Sequence, residues 1–129
     1  MLLRLSSRQD LQPVIERVVQ RMAAQGFEDK DVFAMRLALE EAVVNALVHG
    51  NQGDPRKHVE VCMEIKWKEV VIQVQDQGEG FDPEDLPDPL APENLERPCG
   101  RGVFLMRHYM TTVQYNEQGN CVTLLKRGE

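Results

Sequence analysis

Three polar residues recur at four-residue intervals in one segment of the chain, Glu41, Asn45 and His49. A helix would place all three on one face, because residues four apart in a helix are neighbours. The segment is otherwise rich in Ala, Val and Leu, so a carboxylate and a carboxamide there would need partners to offset the loss of water. A metal, a phosphate or water could supply them. Alternatively, the three are an exposed Glu, a helix-capping Asn and a His at the negative end of a helix.

Two glycine-rich segments follow later in the chain. Asp76 ends an apolar run and is followed by Gly78 and Gly80, which would allow a sharp turn and a close approach of a ligand to the backbone. The segment Gly100-Arg101-Gly102 precedes a short helical pattern, where free N–H groups favour phosphate. Either segment could also be an ordinary turn. Together with the polar stripe, they indicate a nucleotide site.

The first two residues of the stripe suit phosphoryl transfer. The amide oxygen of Asn45 is an uncharged hard donor, and Mg²⁺ usually takes one or two protein oxygens plus substrate phosphates. Glu41, one turn earlier, could accept a proton from a water or an incoming hydroxyl group. No GxxxxGK[ST] sequence occurs, and no GxGxxG lies between a strand and a helix, so two common nucleotide-binding folds are not expected.

The elements that would position these residues follow from hydrophobic periodicity. Apolar residues at helical spacing predict one helix over 10–25 and a second that is capped by Asp29 or Asp31 and ends at Gly50. Alternating residues predict strands over 59–67 and 70–74, joined by a hairpin near 66–69. A short helix over 102–110 and strands over 111–115 and 122–125 complete the pattern. This order predicts an α+β two-layer sandwich, with helices on one face of a mainly antiparallel sheet.

Length and composition set limits on function. The 129 residues predict a single domain, 1–129, of ordinary globular composition, with 42% hydrophobic and 28% charged residues. No apolar run approaches the roughly 20 residues of a membrane span, and the N-terminus is too short and interrupted for a signal peptide, so we expect a cytoplasmic protein. A net charge of −6 argues against direct nucleic acid binding. The three cysteines lack CxxC spacing and are expected to be reduced.

Taken in order, Glu-x-x-x-Asn-Ala-x-x-His-Gly, Asp-x-Gly-x-Gly-Phe-Asp and Gly-Arg-Gly-x-x-Leu-Met resemble the GHKL superfamily, which has the Bergerat, histidine-kinase-like ATPase fold. The resemblance covers nearly the whole chain and is greatest to bacterial anti-sigma factor serine/threonine-protein kinases. It implies that Glu41 is the catalytic carboxylate, Asn45 the Mg²⁺ ligand and Asp76 the acceptor for the adenine amino group. It implies further nucleotide contacts at His49, Gly78, Gly80, Phe81, Gly100, Arg101 and Gly102, and an ATP lid at about 82–99.

The resemblance also separates relatives and departs from the family at one place. Histidine kinases generally lack the glutamate and add a segment that carries a phosphorylated His, whereas gyrase-like and chaperone ATPases need further domains. In the phosphate loop, Cys99 stands where the family often has a small or hydroxyl residue, and Arg101 stands where it often has Met. Arg101 could hold phosphate through its charge.

Two functions are therefore open. The first is a kinase that uses ATP and Mg²⁺ to phosphorylate a serine or threonine on a small anti-anti-sigma (STAS-type) partner, with Glu41 as the base. The second is a nucleotide-gated module that holds a sigma factor or another regulator with little or no phosphoryl transfer. Relatives commonly dimerise, so the resemblance also makes a homodimer an open alternative to a monomer.

Overall fold

Five strands form one antiparallel sheet in the computed structural model, in which residues 1–78 and 98–128 are described, 98–103 by their backbone alone. The sheet has the order β1-β2-β3-β5-β4, and helices pack against it, which confirms the expected α+β sandwich. The strands are β1 (Leu2–Leu5), β2 (Val59–Lys66), β3 (Glu69–Gln75), β4 (Thr112–Tyr115) and β5 (Cys121–Arg127). The helices are α1 (Leu11–Ala24), α2 (Asp29–Val44) and α3 (Pro98–Tyr109).

One face of the sheet is buried under the helices. In β2, the side chains of Val59, Val61 and Met63 are buried, whereas those of Cys62 and Glu64, which alternate with them, are exposed. The largest fully buried side chains come from both layers and include Ile15, Met22, Met35, Leu39, Ile72, Met106 and Leu124. No helix in the described ranges is long and apolar enough to span a membrane.

The first strand is absent from the sequence-based expectation. β1 is an edge strand that pairs antiparallel with β2, from Leu2 opposite Cys62 to Leu5 opposite Val59. Its four residues include three leucines, so they show no alternation of apolar and polar residues, and only pairing with a distant strand defines it. The hairpin expected near 66–69 is confirmed, with Lys66 paired to Glu69.

The start of α2 also differs from the expectation. The N-cap is Glu28, which has an extended backbone and makes no side-chain capping hydrogen bond. Asp29 and Asp31 instead lie in the first turn, where their negative charges suit the positive end of the helix dipole. Neither aspartate is therefore the cap that the sequence predicted.

The end of α1 is fixed by a left-handed glycine. Gly26 has φ 86°, and its N–H donates to the carbonyl oxygen of Ala23 at 3.1 Å. The N–H of Phe27 donates to the carbonyl oxygen of Met22 at 3.2 Å. These two hydrogen bonds form a Schellman motif, which turns the chain towards α2.

We predict that Gly26→Ala lowers the free energy of unfolding by about 1 to 2 kcal/mol, because an L-residue is strained in the left-handed region. Lack of space would not contribute, since a Cβ atom at Gly26 would meet nothing within 4 Å. Urea denaturation measures the change. Gln25→Ala is the control, because Gln25 has an ordinary φ of −88°. Equal effects of the two substitutions would contradict the role of the left-handed backbone.

Candidate functional site

The polar stripe lies where α2 changes its winding. The expected α-helix to Gly50 ends at Val44, and a π-helical turn spans Asn45–Gly50, after which the N–H of Asn51 donates to the carbonyl oxygen of Ala46 at 2.8 Å. Such wide turns occur frequently at functional sites. Glu41 and Asn45 remain one helical turn apart. His49 lies in the wider turn and is exposed, so it does not continue the stripe as an α-helix would have it.

The end of this turn packs against the end of β3. A Cβ atom at Gly50 would overlap the carboxyl group of Asp76, and one at Gly78 would overlap the carbonyl oxygen of Gly50. Gly78 therefore allows two backbone segments to come close together. The sequence had indicated that this glycine would allow a sharp turn. Its N–H donates to Oδ1 of Asp76 at 2.7 Å, and the N–H of Asp76 donates to the carbonyl oxygen of Asn120 at 2.9 Å. These contacts fix the position of the Asp76 carboxylate.

Asn51 is a residue of this junction that the sequence analysis missed. Its side chain is 1% exposed, and its amide nitrogen donates to the carbonyl oxygen of His58 at 3.1 Å. Its amide oxygen accepts the N–H of Gln77 at 2.7 Å. The side-chain oxygen of Gln77 in turn accepts the N–H of His58 at 2.7 Å. Asn51 directly follows Gly50, and only its position beside the stripe could have drawn attention to it.

Burial perturbs the two carboxyl groups of the site. It raises the pKa of Glu41, and the charge of neighbouring Glu40 raises that pKa further. Burial also raises the pKa of Asp76, although the hydrogen bond from Gly78 and the charge of Lys57 act in the opposite direction. Carboxyl groups with raised pKa values cluster at functional sites, where they accept protons or hydrogen bonds from ligands.

Asn45 has hydrogen-bonding capacity that the protein does not use. Its amide nitrogen is buried and has no hydrogen-bond partner among the described residues. A buried polar atom without a partner is unfavourable unless a ligand or water supplies one. Together, a proton acceptor at Glu41, an unpaired amide N–H group at Asn45 and a fixed carboxylate at Asp76 can bind a polar ligand that carries N–H donors and oxygen atoms.

The predicted phosphate loop is part of a helix. α3 begins at Pro98, so the backbone of Gly100, Arg101 and Gly102 lies in its first turns and not in a loop before it. Proline suits the first helical position because its φ is already helical and it lacks an N–H that would stay unpaired. Gly80, Phe81 and most of the predicted lid lie in 79–97, outside the described residues. Within the described part of the chain, no three His, Cys, Asp or Glu side chains come together to hold a metal ion.

Comparison with known proteins gives one family match and several relatives. Residues 5–126 match the family described as histidine kinase-like ATPase domain. The serine-protein kinase RsbW of Staphylococcus epidermidis is 33% identical over 104 residues, which cover 74% of this chain and 65% of that protein. RsbW of Oceanobacillus iheyensis is 25% identical over 108 residues (79% of this chain, 68% of that protein). The anti-sigma F factor of Clostridium botulinum is 28% identical over 104 residues (75% and 71%). The chain thus spans just under two thirds of the Staphylococcus relative.

We predict that Asp76→Asn stabilises the protein without ligand at neutral pH. Because burial raises the folded-state pKa above the unfolded value, the folded state holds its proton more tightly. Protonation of Asp76 therefore stabilises the folded state of the wild type. This stabilisation is complete below the unfolded-state pKa and is lost as the pH rises through the folded-state pKa, whereas the amide in the Asp76→Asn variant stays neutral at every pH. The variant should therefore gain unfolding free energy over the wild type near pH 7 and much less below pH 3.8, the ordinary value.

Urea denaturation at both pH values measures this difference. Asp54→Asn is the matched control, because the hydrogen bond from Arg56 lowers the pKa of Asp54. That variant should lose stability relative to the wild type near neutral pH and should match it in acid. An Asp76→Asn difference that is the same at both pH values would show that ionisation of Asp76 does not affect folding.

Proposed function

We propose a function that proceeds from the family, since the chain belongs to the histidine kinase-like ATPase domain family. In this proposal the chain binds ATP with Mg²⁺ and phosphorylates a serine or threonine on a small anti-anti-sigma protein. One observation carries the proposal. The half-buried carboxyl group of Glu41, with its raised pKa, lies one helical turn before Asn45, whose buried amide nitrogen has no partner. The relatives named serine-protein kinase support the same assignment. In this proposal residues 1–129 form one ATP-binding domain, and the protein acts in the cytoplasm.

The adenine end of the site would be formed by Asp76. Its carboxylate is fixed before any ligand binds, because Oδ1 accepts the N–H of Gly78 at 2.7 Å. A fixed carboxylate can accept a hydrogen bond from the adenine amino group, and guanine has no amino group at that position. Gly50 and Gly78 allow this geometry, since a side chain at either place would displace Asp76 or the neighbouring backbone. Gly80 and Phe81 are proposed to line the same end.

The phosphate end would be formed by Asn45 and the start of α3. Mg²⁺ usually takes one or two protein oxygens in addition to phosphate oxygens, and the amide oxygen of Asn45 would supply one. Mg²⁺ bound there would neutralise negative charge on the phosphate oxygens. The unpaired amide nitrogen cannot bind Mg²⁺, but it can donate to a phosphate oxygen. The first N–H groups of a helix have no partner within it, so those at the start of α3 would contact phosphate. His49, Arg101 and Gly102 are proposed to contribute further nucleotide contacts, and residues 82–99 to cover them.

Glu41 would take the proton in the transfer step. The hydroxyl oxygen of the partner's serine forms a bond to the γ-phosphorus as the bond from that phosphorus to the bridging oxygen breaks, and ADP leaves. The hydroxyl proton passes to the Glu41 carboxylate. The raised pKa of Glu41 favours this role, because a general base works best when its pKa lies near the working pH.

A second candidate function rests on the other relatives. Proteins named anti-sigma F factor are similar to this chain over most of its length, and that name specifies binding to a sigma factor without specifying phosphorylation. The alternative is therefore a nucleotide-gated module that holds a sigma factor or another regulator, with little or no kinase activity. In either function the chain would act as a monomer or as a homodimer.

We predict that Glu41→Gln abolishes phosphoryl transfer and keeps ATP affinity within a few fold. The amide has nearly the same shape but cannot accept the proton, and loss of a general base lowers rates by about 10² to 10⁴. Transfer from labelled ATP to the anti-anti-sigma protein encoded nearby measures the rate, and calorimetry measures affinity. Glu40→Gln is the matched control, because Glu40 is the exposed neighbour on the same helix and should keep most of the activity.

The same experiment separates the two functions. A wild-type protein that transfers no phosphate to any candidate partner, yet binds a sigma factor only with ATP present, would establish the binding module. Equal rates for Glu41→Gln and the wild type would rule out Glu41 as the base.

We predict that two further substitutions affect opposite ends of the nucleotide. Asp76→Asn should weaken ATP and ADP alike by roughly tenfold to a hundredfold, with or without Mg²⁺, because a hydrogen bond to a charged group contributes about 1.5 to 3 kcal/mol. Asn45→Ala should weaken mainly the Mg²⁺-dependent part of the affinity. Calorimetry with each nucleotide, with Mg²⁺ and with a chelator, measures both. Wild-type affinity in Asp76→Asn, or equal binding of GTP, would argue against the adenine assignment.

A further inference from the structure

A cavity lies at the opposite end of α2 from the proposed nucleotide site. It has a volume of about 190 Å³, and residues of its wall are Phe27, Glu28, Asp31, Trp67, Lys68 and Gly128. These residues come from the α1–α2 connection, the first turn of α2, the β2–β3 hairpin and the end of β5. Trp67 and Asp76 lie at opposite ends of β3, which places the two regions on the order of 20 Å apart. None of the wall residues belongs to the proposed nucleotide site.

Asp31 brings an unpaired carboxylate oxygen to this cavity. Its side chain is 7% exposed, and Oδ1 lies 3.8 Å from Nζ of Lys126, which also donates to the carbonyl oxygen of Tyr109 at 2.9 Å. Oδ2 of Asp31 is buried and has no hydrogen-bond partner among the described residues. Because an unpaired buried carboxylate oxygen is strongly unfavourable, this position would stabilise a bound group with N–H donors.

Gly128 brings its backbone close to this oxygen. A Cβ atom at Gly128 would lie 3.6 Å from Oδ2 of Asp31 and 3.3 Å from two ring atoms of Phe27. The backbone of Gly128 therefore lies close to both the unpaired oxygen and an aromatic ring. A side chain at position 128 would press on the Phe27 ring and displace it within the cavity wall.

The remaining walls favour a flat cation. Trp67 is 83% exposed, and Nζ of Lys68 lies 5.7 Å from the centre of its ring, so the ring already attracts one cation. Both acids of the wall already face a lysine, since Nζ of Lys30 lies 3.7 Å from Oε2 of Glu28 and Lys126 lies beside Oδ1 of Asp31. Only Oδ2 of Asp31 is left without a partner among the described residues. A guanidinium group is planar, stacks on aromatic rings and donates several N–H bonds to carboxylates. Its planar shape and its N–H donors match the rings and the unpaired acceptor Oδ2 of Asp31, whereas an anion has no donor for that oxygen.

We propose that this cavity binds a guanidinium group, which donates to Oδ2 of Asp31 and packs against the rings of Phe27 and Trp67. The group could belong to an arginine side chain of a partner or to a small guanidine compound. The inference is independent of ATP binding and of phosphoryl transfer, because it uses different residues at the other end of the fold.

Trp67 makes this site directly measurable, because it is the only tryptophan in the chain. Titration of the full chain with n-butylguanidinium should give a saturable change in tryptophan fluorescence. The neutral isostere n-butylurea should give none at the same concentrations. An equal response to both compounds, or no saturable response to n-butylguanidinium, would overturn the proposal.

Three substitutions test the individual contacts, with affinity measured by fluorescence and calorimetry. Asp31→Asn should weaken n-butylguanidinium by roughly tenfold, because it removes the charge of the acceptor. Gly128→Ala should also weaken it, because the added methyl group displaces the Phe27 ring, and it leaves Asp31 intact should the first variant fold poorly. Lys68→Gln should strengthen it by about twofold to fivefold, because a competing cation leaves the Trp67 ring. Unchanged affinity in Gly128→Ala, or weaker binding in Lys68→Gln, would contradict the assignment.

Ligands of two sizes distinguish a guanidinium group of a partner protein from that of a small compound. If an arginine of a partner protein is the occupant, the blocked tripeptide acetyl-Gly-Arg-Gly-amide should bind at least as tightly as n-butylguanidinium. If a small compound is the occupant, the peptide should bind more weakly because its backbone does not fit. Either result supports the guanidinium site, and failure of both compounds to bind overturns it without affecting the kinase proposal.

Discussion

The junction between Gly50 and Asp76 is the contact on which the proposed nucleotide site depends. Glu41 and Asn45 lie on a helix, whereas Asp76 follows a strand, so a close backbone contact must fix one element relative to the other. The absence of side chains at Gly50 and Gly78 permits that contact. The π-helical turn at Asn45–Gly50 leads the chain to this contact. The buried side chain of Asn51 then joins the helix end to the backbone of His58, just before β2, and of Gln77, just after β3.

Periodicity predicts the parts of the fold that sequence neighbours determine. The helix that carries Glu41 and Asn45 and the hairpin between β2 and β3 both depend on residues within a few positions of one another, so the sequence predicted them. It also indicated that Asp76 ends a strand. The spacing of residues could not predict that Asp76 lies near the helix. Only the family resemblance placed Asp76 and the helix in one site.

What the sequence did not predict depends on distant contacts. β1 becomes a strand only by pairing with β2, more than fifty residues later. Asn51 becomes a structural residue only through His58 and Gln77. The π-helical turn likewise has no marker in the spacing of residues, because it forms where the end of α2 must meet β3. The extension of α3 back to Pro98 was missed since two glycines in its first turns favour a loop on local propensity alone.

A buried polar atom without a hydrogen-bond partner occurs near each end of α2, and the two ends are on the order of 20 Å apart. At one end the amide nitrogen of Asn45 lacks a partner, and at the other end Oδ2 of Asp31 does. Each lowers the stability of the protein without ligand, and a ligand or water that supplies the missing hydrogen bond would compensate it. Energetic coupling between distant sites requires an element with two arrangements that both ligands affect. Along α2 the winding departs from α-helical only at Asn45–Gly50. Any coupling between the two ends through this helix would therefore have to act on that turn, because the α-helical part between them has no comparable break.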